Sequence, residues 1–356
     1  MENITNISKY KNILHDVYSS NLLKRSAIIS MNKKEKDGIA VVGSILVDKI
    51  NEIKAYPQSG ELTQIIGLEK AVGGCVPNVA LDLKKICPEL DVRAIGKVGN
   101  DEDGAYVSEV LSRGGVDVSR FVVDDSDKTS FTEVMSVING QRTFFTYPGT
   151  SADFGFEDMD FDNLNAKILH LGYFLLLEKV DRGDGLLILQ KAKELGIKTS
   201  IDLVSENSDR YQLVLPCLPY TDYLIINENE AGKLTGMKPI DANLEAIARK
   251  LMEFGVKEKV VIHKPEFAVC LSKETYTVVP SYKLPEGYIK GTTGAGDAFC
   301  AGTLIGIYEG WSDAEILEFG SACAVMALGK ADATSGLVTK AEIKEYCKQF
   351  DKRSEP

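Results

Sequence analysis

Ile39-Ala40-Val41-Val42-Gly43 is apolar at every position, the pattern of a strand buried on both faces. Comparable runs return at Val92–Gly96, Ile168–Leu171, Lys198–Asp202, Tyr223–Asn227 and Val260–His263. Between them, helical spacing recurs at Asn78–Ile86 and at residues 104–114, 184–195, 229–235 and 243–254. Long helices at 298–309, 313–329 and 340–349 close the chain. Strands alternating with helices predict an α/β fold, with a parallel sheet covered on both faces. Two stretches break the alternation. Residues 50–70 are more polar and alternate weakly. Thr132–Ile138 and Gln141–Tyr147 flank Asn139-Gly140, a strong hairpin signal. Together they are expected to form a small separate sheet, a lid over the carboxyl edge of the main one. Open α/β sheets bind ligands at that edge, so the lid would close a site.

The organisation expected from this pattern is an N-terminal tail over 1–36, disordered or weakly helical, with Met31 as an alternative start. A domain over 37–350 follows, with its lid at about 50–70 and 131–147, then a short tail over 351–356. The formal net charge of −11 argues against nucleic acid as a partner. An acidic chain still binds phosphates where N–H groups and a metal ion make a local positive site. The seven cysteines are scattered without a CxxC, which reads as a reducing, cytoplasmic setting. With three histidines, histidine-based acid–base or metal chemistry is poorly supplied. No apolar run is long enough to span a membrane.

The chemistry concentrates in Gly291-Thr292-Thr293-Gly294-Ala295-Gly296-Asp297, a small-residue loop that ends in a carboxylate and runs into an apolar helix. The N–H groups of Gly294, Ala295 and Gly296, at a helix start, can converge on an anion. Asp297 beside that anion can accept a proton from an attacking hydroxyl. Phosphoryl transfer to an alcohol uses such an arrangement. A glycine turn capping a core helix would also read this way. Asp48, near the carboxyl end of the first strand, would accept hydroxyl hydrogen bonds from a polyol, or be a solvated loop acid. Gly73-Gly74 lets a ligand approach the backbone, and Asn78 offers donor and acceptor to a sugar hydroxyl while also suiting a helix cap. Asn227 and Glu230 share a helix face and suit a hydrated magnesium ion; locally they also read as a capping box.

Taken together these segments resemble the ribokinase-like sugar kinases, the PfkB family. Residues 292–299 match the family's D-T-x-G-A-G-D-x-F signature after its first position. Gly73, Gly74, Asn78 and Ala80 match its GG…N-x-A core. Gly96, Gly99, Asp101 and Gly104 match G-x-x-G-x-D-x-x-G, and Asn227 with Glu230 match N-x-x-E. The resemblance spans about residues 38–345 in the family's order. It implies a three-layer sandwich with a central, mostly parallel sheet and a small β lid. It also implies ATP-dependent phosphorylation of a sugar or sugar-like hydroxyl. Asp297 would be the catalytic base, and the N–H groups of Gly294, Ala295 and Gly296 the anion hole. Asp48, Gly73, Gly74 and Asn78 would contact the acceptor. Asn227 and Glu230 would hold magnesium through water, with Thr292 and Lys264 near the nucleotide. Lids of this type pair through their open edges, so a homodimer through the lid is a further expectation.

Some positions depart from the family. Gly291 replaces an aspartate that helps form a monovalent-cation site, which puts potassium activation in question. His263-Lys264-Pro265-Glu266-Phe267 replaces a G-x-x-G turn, and Lys264 would contact phosphate instead. Gly149-Thr150-Ser151 stands where a Gly-Ala-Asn run follows the lid. Leu46 and Cys75 stand where ribokinase itself has an Asn and a Lys, which argues against ribose and leaves a ketohexose or related sugar. The alternative function is a sugar- or nucleoside-binding regulator of the same fold with weakened catalysis. A nucleotide-dependent oxidoreductase is excluded, because no GxGxxG turn follows the first strand.

Overall fold

The computed structural model describes residues 36–137, 142–206, 208–273, 275–330 and 332–354. The expected 1–36 tail, apart from Lys36, lies outside them, as does the Asn139-Gly140 turn. Thirteen strands form two sheets among the described residues. The strands are β1 (Ile39–Gly43), β2 (Leu46–Ile53), β3 (Ile65–Gly73), β4 (Val92–Gly99), β5 (Asp117–Asp124), β6 (Ser130–Val137) and β7 (Arg142–Tyr147). They continue with β8 (Ile168–Phe174), β9 (Lys198–Leu203), β10 (Tyr223–Asn227), β11 (Lys259–His263), β12 (Phe267–Ser272) and β13 (Thr275–Pro280). The large sheet runs β13-β12-β11-β10-β9-β8-β1-β4-β5. Strands β5 to β11 of that order pair in parallel, and β12 and β13 add antiparallel at one edge.

The apolar pattern of β1 explains its place at the centre. Ile39 and Val41 point into one core with the helices Cys75–Ile86, Ala295–Glu309 and Asp313–Leu328. Ala40 and Val42 point into another with Gly185–Glu194 and Leu244–Glu253. Successive side chains of a strand face opposite ways, so a strand between two helical layers must be apolar throughout. All four residues are fully buried, and burying a Val or Ile side chain contributes about 1.5–3 kcal/mol. The result is the expected mostly parallel sheet between two helical layers.

Four strands form the smaller sheet, in the order β3-β2-β6-β7. The two arms of the expected hairpin pair antiparallel, from Phe131 opposite Tyr147 to Ser136 opposite Arg142. The sheet reaches further back than the 50–70 stretch suggests, since β2 begins at Leu46 and β3 runs to Gly73. This corrects the reading of Asp48. It follows β1 but lies within the next strand, in the small sheet opposite Ala71 and Thr132. The main sheet's strand ends at Gly43, and Ser44 and Ile45 turn the chain between sheets. Asp101 fastens the far side of that junction. It caps helix Glu102–Arg113 by accepting from Gly104 N–H at 2.9 Å, and it accepts from Thr129 N–H at 3.0 Å just before β6.

All seven cysteines are buried and free. No helix among the described residues is long and apolar enough to cross a membrane.

Candidate active site

The glycine-rich loop does become a helix start. Gly294 adopts φ 77°, and a Cβ there would lie 2.3 Å from the Ala333 carbonyl oxygen, so only glycine fits. Helix Ala295–Glu309 follows, three residues earlier than helical spacing suggests. Ala298 N–H donates to the Gly294 carbonyl at 2.8 Å, whereas Ala295 N–H has a long 3.4 Å contact with Thr292 O. The N–H groups of residues 295–297 thus lead the helix, where backbone donors lack helical partners. Asp297 sits in this first turn, buried, with two donors on its carboxylate. Asn78 Nδ2–H donates to Oδ2 at 2.9 Å, and the Tyr173 hydroxyl lies 2.9 Å from each oxygen. Burial, then the nearby charge of Asp202, push the Asp297 carboxyl up to about 7 against the opposing pull of these hydrogen bonds.

A cavity of about 160 Å³ opens in front of this turn. Tyr173, Asp202, Asn227 and His263 line it, each at or within a residue of the carboxyl end of β8, β9, β10 or β11. Ligands of open α/β sheets bind at such ends. Glu230, Ser205, Gly294, Gly296 and Cys300 complete much of the wall. Among the described residues no lysine or arginine lines this cavity, so an anion here would rely on N–H groups and a cation. Asn227 and Glu230 form a true capping box. Asn227 Oδ1 accepts from the N–H groups of Asn229 and Glu230, and Glu230 Oε2 accepts from Asn227 N–H, all at 3.0 Å. Glu230 Oε1 accepts from the Ser205 hydroxyl at 2.7 Å. Burial pushes the Glu230 carboxyl up to about 7. Cap and cavity wall are therefore the same residues. Each carboxylate oxygen keeps a further lone pair, which fits the water shell of a magnesium ion better than direct coordination. Burial also pushes His263 down to about 4, so its ring is neutral at pH 7.

Residues 36–340 match the model of the pfkB family of carbohydrate kinases. The chain belongs to that family. As a member it is a transferase of the carbohydrate-kinase class, acting on sugars. It is 25% identical over 333 residues to 5-dehydro-2-deoxygluconokinase of Clostridium perfringens, covering 90% of this chain and 96% of that one. It is 28% identical over 343 residues to the probable chloroplastic fructokinase-6 of Arabidopsis thaliana, covering 92% and 86%. Among solved structures it resembles Arabidopsis thaliana ribokinase complexed with ribose and ATP, with TM-score 0.76 at 23% identity over 88% of this chain and 99% of that one. It also resembles a fructokinase with bound ATP from Xylella fastidiosa, with TM-score 0.72 at 18% identity over 87% and 98%. These likenesses confirm the ribokinase fold.

Within this carbohydrate kinase the residues singled out in the sequence fall into groups. Asn78, Gly294, Gly296 and Asp297 meet at the cavity or in direct contact across 219 residues of chain. Asn227 and Glu230 line the same cavity. Gly74, at φ 88°, precedes the helix that carries Asn78. Asp48 is apart, on the small sheet beside Gly73, whose Cβ would lie 2.5 Å from Asp48 Oδ2. Burial pushes the Asp48 carboxyl up to about 6. Thr292 is exposed. Lys264 does not line the cavity; its ammonium is held by Asp241 at 2.7 Å and Glu266 at 3.0 Å. Tyr173, Asp202, Ser205 and Cys300 escaped the sequence reading. Asp202 had a signal, as the last polar residue of a parallel strand. Tyr173 had none, because its φ of 60° is visible only in the backbone.

Proposed function

We propose that this protein transfers the γ-phosphoryl group of ATP to a hydroxyl of a small sugar, with Asp297 as general base and the 294–297 turn as anion hole. The observation that carries the reading is the Asp297 carboxyl. It is buried in the first turn of a helix, beside leading N–H groups, and oriented by Asn78 and Tyr173. The acceptor hydroxyl attacks phosphorus, its proton passes to Asp297, and the bond to the β-phosphate oxygen breaks to release ADP. The N–H groups of Gly294, Ala295 and Gly296 donate to the charge that develops on the transferred group. A bound magnesium ion would neutralise phosphate charge, with its water shell on Asn227 and Glu230. Asp48, Gly73, Gly74 and Asn78 would receive the sugar, which spans the small sheet and the helix start. Thr292 would lie by the phosphates. Lys264 would contact the nucleotide only after leaving Asp241 and Glu266.

The small sheet would act as the lid of a single catalytic domain over 37–350. Leu68 (80% exposed) and Phe145 (59%) leave it an open apolar face. A lid-to-lid homodimer in the cytoplasm would cover that face, and light scattering that found only monomers would remove it. The acceptor is read as a ketohexose or related sugar, and the kinship with a fructokinase and a 5-dehydro-2-deoxygluconokinase supports that class. An ATP-consumption screen tests it with fructose, 5-dehydro-2-deoxygluconate, ribose, sugar phosphates and nucleosides, with and without potassium. If no acceptor raised consumption above background, the reading as a catalytically weakened binding protein would replace it. The engaged ammonium of Lys264 favours that second reading.

A further inference from the structure

Beside the cavity lies a group of donor atoms that phosphoryl transfer does not use. Cys75, His170 and Asp202 each offer one ligand atom, and these sulfur, nitrogen and oxygen atoms lie within 4.8 Å of one another. His170 Nε2 is 3.5 Å from Asp202 Oδ2 and 3.6 Å from the Cys300 sulfur. The four residues come from four elements. His170 is on β8 and Asp202 on β9, Cys75 opens helix Cys75–Ile86, and Cys300 lies one turn beyond Asp297. Gly172 provides the space. A Cβ there would lie 1.8 Å from Cys75 Sγ and 3.1 Å from Asp202 Oδ1. His170 Nδ1 is 3.1 Å from the Ser200 hydroxyl. In the tautomer with Nδ1–H donated to Ser200, Nε2 turns its lone pair toward Asp202 and Cys300. Metal-bound imidazoles are commonly held in that way.

We propose that Cys75, His170 and Asp202, with Cys300 alongside, form a binding site for a thiophilic divalent cation of the zinc class, and that filling it slows phosphoryl transfer. Tetrahedral zinc with sulfur, nitrogen and oxygen ligands sets neighbouring donors roughly 3.3–3.6 Å apart. The His170–Asp202 pair already has that spacing, and the sulfur is within about an ångström of it. Binding converts the Cys75 thiol to thiolate and releases one proton to solvent. The cation's two charges are then matched by one thiolate and one carboxylate, which leaves the buried site neutral. Magnesium and calcium prefer oxygen ligands, so the nucleotide's own cation does not compete. Asp202 and Cys300 line the cavity, which gives the ion its way in.

The link to turnover is short. Asp202 Oδ1 accepts from Tyr173 N–H at 2.6 Å, and the Tyr173 hydroxyl holds Asp297. A cation on Asp202 competes with the Tyr173 N–H for that carboxylate. Slowing rests on Asp297 being the base; binding does not.

The test titrates the full chain with cobalt(II) chloride, then with zinc sulfate. The expected result is one cobalt per chain with a thiolate-to-metal charge-transfer band and tetrahedral d–d bands, both bleached by zinc. Cys75→Ala removes the charge-transfer band, and His170→Asn weakens binding by at least about tenfold. Cys347→Ala, on a helix away from the site, leaves both unchanged. Thermal melts identify any variant that fails to fold, and either Cys75→Ala or His170→Asn alone suffices. Absence of a thiolate band in the wild type, or its persistence in Cys75→Ala, overturns the site. In the activity arm, zinc inhibits the wild type reversibly with EDTA, and its inhibitory concentration rises at least about tenfold in Cys75→Ala. Binding without inhibition overturns the regulatory half and leaves the kinase reading standing.

Discussion

Removing the Tyr173 hydroxyl should make Asp297 harder to ionise. Burial and Asp202 hold the Asp297 carboxyl at about 7, and the hydrogen bonds from Asn78 and Tyr173 pull it the other way. A hydrogen bond to a charged group contributes about 1.5–3 kcal/mol. At about 1.4 kcal/mol per pKa unit, losing the Tyr173 bond raises the carboxyl by about one to two units. Phenylalanine keeps the ring and its packing, so burial of the carboxyl changes little. A general base works only when ionised, so the acid limb of kcat/KM should lie near pH 7 in the wild type. In Tyr173→Phe it should move to about 8–9. Asp202→Asn removes a like charge and should move the limb the other way, below the wild type. The assay is ADP release across pH with the acceptor from the screen, with thermal melts at each pH to exclude unfolding. Tyr173→Phe with an unmoved or lowered limb would refute the assignment of that limb to Asp297.

Other outcomes follow from the same geometry. Asp297→Asn should cut kcat by at least about two decades while sugar affinity, read by calorimetry, stays near wild type; equal turnover would remove Asp297 as the base. The same variant should be more stable than wild type at pH 8. A carboxyl raised from 3.8 to about 7 costs the fold nothing below pH 3.8, progressively more up to 7, and its full penalty above. That penalty has an upper bound on the order of 4 kcal/mol. Melting temperatures for mutant and wild type should therefore converge as pH falls, and a constant gap would contradict the linkage. Glu230→Gln can keep the cap through its amide oxygen, so it should raise the magnesium requirement without lowering stability; a stability loss alone would leave Glu230 as a cap only. Gly294→Ala should cost about 1–3 kcal/mol in urea melts from its left-handed backbone, more if Ala333 cannot move; a neutral result would mean the turn adopts another shape.

The chain's apolar pattern alone specified the central strands, because a residue run such as Ile39–Gly43 has no polar face to turn toward water. The Gly294–Asp297 turn was legible for a related reason, since small residues before an apolar helix leave few backbone options. The order of motifs was enough to name the family. Local pattern could not assign Asp48 to the small sheet. The break at Ser44-Ile45 is two residues long, and only pairing with Ala71 and Thr132 shows which sheet the next strand joins. Nor could it add β5, β12 and β13, whose pairing partners decide their place at the edges. Sequence offered Asn227 and Glu230 as either cap or cavity wall; folding made them both, because the helix they cap starts at the mouth of the cavity. Tyr173 and the Cys75–His170–Cys300 group belong wholly to the tertiary structure, as does the place of Asp202 beside them. Their residues are scattered along the chain, and only the parallel sheet, which brings strand ends together at one edge, sets them around Asp297.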